Sequence, residues 1–226
     1  MTKKEEWLAG TRSAVPIMLG YVPVGIAYGV MARQAGLNTW QTVLMSLTVY
    51  GGASEMMAAG MVAQGAAVLT IVLTTFILNL RHIIMSTCVF NQMQGGRLPV
   101  RMLAAFGVTD ETFAVYTTTA NAPRTPRYFF SMALCSYLSW ALGSWLGAIA
   151  TGLLPPLITA ALGISLYAMF IGLLMPGLHG NGRLAALVVL TALCNTVLCN
   201  VVQLDSGWSM ILSTLGCAAL GSFFVT

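Results

Sequence analysis

The chain has 226 residues, of which 58% are hydrophobic and only 7% charged. Its mean hydropathy is +0.83. Soluble domains carry about 25% charged residues, so a soluble globular class is excluded. The net charge of +4 comes from ten Lys and Arg scattered through short loops, a pattern that orients helices in a bilayer and suggests no nucleic-acid partner.

Long apolar runs of about 20 residues predict an all-α, multi-pass bundle in the inner (plasma) membrane. An outer-membrane barrel would show short alternating segments instead. Taken in chain order, the runs are 14–33, 40–63, 66–91, 101–119, 128–152, 157–175, 184–203 and 208–225, forming a single transmembrane domain. Lys3 and Lys4 precede the first run as in a signal peptide. Glu5, Glu6 and Arg12 intervene, and no small-residue cleavage site follows, so a retained first helix is expected. Pro16 and Pro23 should bend that helix or free carbonyls.

Run 40–63 holds Tyr50-Gly51-Gly52-Ala53-Ser54-Glu55 at its centre, and these residues predict a helix broken in two. A Ser54 cap on a half-helix starting near Glu55 would favour an anion, and Glu55 would suit an ammonium. Run 66–91 is expected to be one spanning helix. Thr75, Asn79, His82 and Ser86 fall on one face of it. Arg81 lies beside that stripe. Charge at mid-bilayer costs at least ~2.5–3.5 kcal/mol and normally faces a cavity or a partner. Two readings of Arg81 stay open: a permanent ion pair locking helices, or a fork for a substrate carboxylate. Run 101–119 brings Asp110 and Glu111 to the same depth. One of them is expected to pair with Arg81 and the other to face water, and with His82 they are candidate proton carriers.

Loop charge chooses a topology. If runs 40–63 and 101–119 each enter and leave on one side, then Lys3, Lys4, Arg12, Arg97, Arg101, Arg124, Arg127 and Arg183 all lie in the cytoplasm, with only Arg33 outside. Gly25/Gly29 and Gly143/Gly147 predict close helix contacts. Leu19-Gly20 to Gly29 and Leu162-Gly163 to Gly172 hint at an inverted repeat.

The five cysteines lie in apolar runs without a C-x-x-C pair and read as buried thiols. Met56, Met57 and Met61 read as apolar lining rather than a copper path. His82 and His179 have no ligand at metal spacing, so no metal or cofactor is expected. Hydrolase and P-loop motifs are absent, so no enzyme is expected.

Several stretches carry a resemblance. They are Pro16-Ile17 with Tyr21-Val22-Pro23-Val24-Gly25-Ile26-Ala27-Tyr28-Gly29, Tyr50–Glu55, Asn79-Leu80-Arg81-His82, and Phe106-Gly107-Val108-Thr109-Asp110-Glu111-Thr112-Phe113-Ala114. Ser139–Gly143 and Ala160–Gly163 match more loosely. Together they resemble the AzlC family, the large subunit of bacterial branched-chain amino acid exporters. The resemblance implies proton-coupled export of neutral amino acids (valine, leucine, isoleucine or methionine) and a small AzlD-type membrane subunit as partner. It also marks a departure: the family commonly has Gln where this chain has Glu55. The expected site is therefore Arg81, Glu55, Ser54, Gly51, Gly52, Tyr50 and Asn79 for the substrate, with Asp110, Glu111 and His82 for the proton. The rival classes are an ion or metal channel and a structural scaffold with buried ion pairs.

Overall fold

The computed structural model describes residues 2–119, 122–153, 155, 157–158, 161, 164, 171, 174–175, 178–204 and 206–224; all are helix, turn or loop. The expected run 157–175 lies mostly outside these residues, as does the Leu162-Gly163 and Gly172 half of the expected repeat.

Helix α1 (Lys3–Gln34) begins well before residue 14, because Thr2 and Glu5 close a capping box in the charged leader. It runs unbroken through Pro16 and Pro23, whose missing N–H groups leave the Arg12 and Leu19 carbonyls without their helical donors. Its partner is α8 (Pro126–Ala150). The two are parallel, since Gly10 meets Tyr128 and Ser131 near their starts, while Gly29 meets Ser144, Gly147 and Ala148 near their ends. The expected glycine contacts are present: a Cβ on Gly147 would lie 2.1 Å from the Ile26 carbonyl oxygen, and one on Gly25 would lie 3.1 Å from Gly143 Cα. In lipid, such backbone approach supplies the packing that water cannot drive.

Between α1 and α8 the chain forms six shorter helices: α2 (Thr39–Thr48), α3 (Gly52–Ala63), α4 (Val68–Asn79), α5 (Arg81–Gln92), α6 (Leu98–Phe106) and α7 (Asp110–Thr118). Runs 40–63 and 101–119 are each broken as their glycines and acids foretold. Run 66–91 is one apolar span, Val68–Gln92, with a local interruption. Its ladder is interrupted at Leu80, where Leu80 N–H bonds Ile77 O and Ile83 N–H bonds Leu80 O in short i→i+3 steps. The face of α4 turned inward carries Thr74, 2% exposed, rather than Thr75.

Contacts fix the direction of each piece. Gln94 N–H bonds the Arg124 carbonyl at 2.6 Å, Arg101 Nη2 bonds the Met93 carbonyl at 2.6 Å, and Arg127 pairs with Glu6 at 3.7 Å. These bonds place the end of α5 and the starts of α1, α6 and α8 in one basic layer. Positive charge marks that layer as cytoplasmic. Helix α6 descends from it until Phe106 reaches Tyr137, and α7 returns until Tyr116 stacks against Tyr128 and Phe129. From 126 to 137 along α8 is ~16 Å at 1.5 Å per residue, about half the hydrocarbon core. The α6–α7 hairpin therefore reverses about half-way along α8. The α2–α3 hairpin enters from the opposite side: α2 follows the far end of α1, its tip reaches Trp140 through Gly52, and α3 leads to α4, which with α5 crosses the whole membrane.

Helices α9 (Gly182–Asn200) and α10 (Ser206–Phe224) form a hairpin tied by Ser209 Oγ, which donates to Asn195 Oδ1 at 2.8 Å. Helix α9 buries no residue among those described, so its apolar surface is offered to lipid or to another subunit.

Candidate functional site

Three half-helices start at the middle of the membrane, and their N-termini converge. These are α3 at Gly52, α5 at Arg81 and α7 at Asp110. Together with Tyr21 of α1, Tyr50 and Trp140 of α8 they line one hollow: Tyr21, Tyr50, Gly51, Gly52, Ala53, Arg81, His82, Thr109, Asp110, Glu111 and Trp140. The uncapped start of α3 leaves N–H groups without intrahelical acceptors and adds partial positive charge, whereas α7 is capped by Thr109 and α5 continues from α4 through the helical Leu80.

The α3 start explains the paired glycines. A Cβ on Gly52 would lie 2.9 Å from Trp140 Cη2, and one on Gly51 2.5 Å from Ser54 Oγ. Tyr50 takes a left-handed φ of +46°, an uncommon conformation for a side chain this large. That strain turns its ring against Tyr21 and Tyr137. Gly51 is the N-cap, and no side chain caps the helix, which leaves the Gly52 and Ala53 N–H groups facing the hollow.

Two expectations about this turn are corrected. Ser54 does not cap a helix beginning at Glu55; it lies inside the first turn, fully buried, and donates to the Gly51 carbonyl at 2.8 Å. Glu55 does not open onto the hollow either. It is 0% exposed, and its carboxylate accepts from the Gly51 N–H at 2.9 Å and from Trp140 Nε1 at 3.2 Å. Ser46 Oγ lies 2.8 Å from both Glu55 Oε2 and Ser144 Oγ, with one proton to give between them. Glu55 thus clamps the α2–α3 break to α8, and its acceptor capacity is spent on protein donors. Met56 likewise packs into the core at 8% exposure instead of lining the hollow.

The charged residues behave as membrane cost predicts. Arg81 Nη2 bonds Asp110 Oδ2 at 2.9 Å, with both side chains about one-third exposed (34% and 28%). The pair is therefore only partly buried, and both residues line the hollow. With Asp110 on Arg81, Glu111 is the acid expected in water. Instead its Oε2 accepts from the Tyr21 hydroxyl at 2.6 Å, and that hydroxyl lies 2.7 Å from Thr109 Oγ1. Thr109 is also the N-cap of α7, boxed with Thr112. His82 lines the hollow beside Arg81, whereas Thr75 and Ser86 of the stripe do not.

Three buried polar atoms at or beside the hollow have no hydrogen-bond partner among the described residues: Tyr50 Oη, Asn79 Oδ1 and Arg81 Nε. Native interiors satisfy nearly all such groups, so a cluster of orphans marks a place built for a polar ligand or water. Asn79 Oδ1 would come within 3.5 Å of a Cβ on Gly51, which puts it at the rim. The free volume is about 20 Å³, roughly one water. Anything larger enters only if the half-helices part.

Four lining residues, Tyr21, Ala53, Thr109 and Trp140, are absent from the site expected on sequence. Each of the two rings looks like ordinary apolar filling within a long helix. All four lie within the stretches that carry the family resemblance, and Tyr21 also stands between two prolines.

Comparisons with known proteins place the chain in a family. A family model described as AzlC protein matches residues 16–154. The chain belongs to the AzlC family. The match spans α1 to α8 and so contains every residue of the hollow. An uncharacterized membrane protein of Archaeoglobus fulgidus is 33% identical over 188 residues, covering 82% of each chain. The inner membrane protein YgaZ of Escherichia coli is 30% identical, over 75% of this chain and 72% of its own. The branched-chain amino acid transport protein AzlC of Bacillus subtilis is 27% identical, over 66% and 61%. No solved structure matches. As a member of this family, the chain is a multi-pass inner-membrane protein of the transporter class.

Proposed function

We propose that this AzlC-family chain is the substrate-binding subunit of a secondary transporter that exports neutral, branched amino acids in exchange for protons, working with a small AzlD-type subunit. One observation carries the reading: the Arg81–Asp110 pair, the uncapped start of α3 and the orphaned Tyr50 Oη, Asn79 Oδ1 and Arg81 Nε gather around one hollow. A zwitterion complements that arrangement. Its carboxylate takes the Arg81 fork and the uncapped N–H groups of Gly52 and Ala53. Its ammonium takes Asp110, released from Arg81, or Glu111, released from Tyr21. Proton exchange then falls to Asp110, Glu111 or His82, all on the hollow wall. Glu55 leaves the ammonium role and becomes a positioning residue for the α3 start.

The tightness of the hollow supports alternating access. Separation of the α6–α7 hairpin would open it to the cytoplasm, and separation of the α2–α3 hairpin to the outside.

The test is efflux from vesicles holding this chain with its small subunit. Labelled valine, leucine or methionine should leave faster when the opposite compartment is acidified, and lysine and glutamate should not. Equal flux of all amino acids, or flux indifferent to the pH gradient and to Asp110→Asn with Glu111→Gln, would contradict the reading. Currents carried by zinc or copper would support a channel instead.

A further inference from the structure

Resting on the transport reading, we infer that the side chain of the substrate lodges in a second, apolar pocket between α1 and α7, and that Gly20 sets the size it admits. This pocket has a volume of about 210 Å³ and is lined by Pro16, Ile17, Gly20, Tyr21, Glu111, Ala114 and Val115. Tyr21 and Glu111 also line the polar hollow. The two spaces therefore share one wall, and that wall is the 2.6 Å hydrogen bond from the Tyr21 hydroxyl to Glu111.

A carboxylate on the wall of an apolar pocket at membrane depth is costly unless something polar comes to meet it. An amino acid ammonium does so. With the carboxylate at Arg81 and the ammonium at Glu111, the Cα of the substrate sits at the shared wall. Its side chain then points away from the polar groups, into the space bounded by Ile17, Ala114 and Val115. Glu111 thus borders both spaces.

The floor of the pocket is a notch in α1. Gly20 has ordinary helical geometry, and a Cβ built on it meets no described atom within 4 Å. No neighbour therefore requires the absence of a side chain at Gly20. This contrasts with Gly25 and Gly29 on the same helix, which are held by the backbone of α8. Open space in front of Gly20 is what a branched side chain would fill. One missing or extra methylene in such a pocket changes discrimination about 10–200-fold.

The experiment is a competition series in vesicles containing both subunits, wild type against Gly20→Val, and against Ala114→Val on the opposite wall. Initial efflux rates are read for alanine, valine, leucine and methionine. The expected result is a loss of roughly tenfold or more in kcat/KM for leucine and methionine in both variants, with alanine efflux within about threefold of wild type. Retained alanine efflux serves as the folding control. The inference is overturned if leucine and alanine decline together in both variants, or if leucine efflux is unchanged in both. If wild-type vesicles move no amino acid at all, the transport reading itself fails, and that result is separate from either outcome.

Discussion

Arg81→Ala should lower amino acid efflux at least 100-fold while leaving membrane abundance near the wild-type level. A factor of 100 is about 2.7 kcal/mol, well within the reach of a charge-assisted fork in a site of low dielectric. Abundance should hold because the side chain is one-third exposed and has a single ion-pair partner among the described residues, so its removal leaves a partly exposed Asp110 rather than a sealed one. Arg81→Lys keeps the charge but loses the planar fork, and an intermediate loss of about tenfold is expected. The decisive variant is Arg81→Ala with Asp110→Asn. If the pair only locks helices together, neutralising both ends relieves the stranded acid and efflux returns. If Arg81 holds the substrate, the double variant stays inactive at normal abundance. Efflux and quantitative blotting on the same vesicles separate the two.

The second large effect is on folding. Gly147→Val should reduce membrane abundance several-fold or more, and Gly29→Val should do the same. A Cβ at Gly147 would sit 2.1 Å from the Ile26 carbonyl oxygen, and one at Gly29 2.3 Å from that of Ser144. Both obstacles are backbone, so no rotamer change relieves them, and α1 must move away from α8. Overpacking typically costs about 1–3 kcal/mol, and a forced helix separation costs more. Gly60→Ala is the matched control: it lies inside α3 with no described atom within 4 Å of a built Cβ, so abundance should be unchanged. Equal loss in all three variants would show that the clash is not the cause.

The breaks in runs 40–63 and 101–119 are legible in the sequence, because glycines and acids in the middle of an apolar run are costly unless the helix opens there onto a cavity. The break at Leu80 is not: Asn79-Leu80-Arg81 contains no glycine or proline, and the interruption is a matter of two short backbone bonds. The Arg81–Asp110 pair follows from the cost of charge in hydrocarbon. Glu55 goes the other way. Its three donors come from Ser46, the Gly51 backbone and Trp140, and the last lies 85 residues distant in the chain. Only the packing of α8 against the α2–α3 tip turns its carboxylate inward, and nothing local to Glu55 signals that. The small-residue pairs on α1 and α8 are visible as spacing, but their register against each other is not.

The central claim is that the meeting point of the three half-helices receives the substrate. Ala53 lies on that wall beside the uncapped start of α3. A single cysteine at Ala53, in a variant whose five native cysteines are replaced, can be labelled with a small thiol reagent in vesicles that also contain the small subunit. Valine or leucine outside the vesicles should slow labelling several-fold, lysine should not, and Arg81→Ala should remove the protection. Labelling that proceeds at one rate with and without a transported amino acid, in vesicles that export it, would contradict the account.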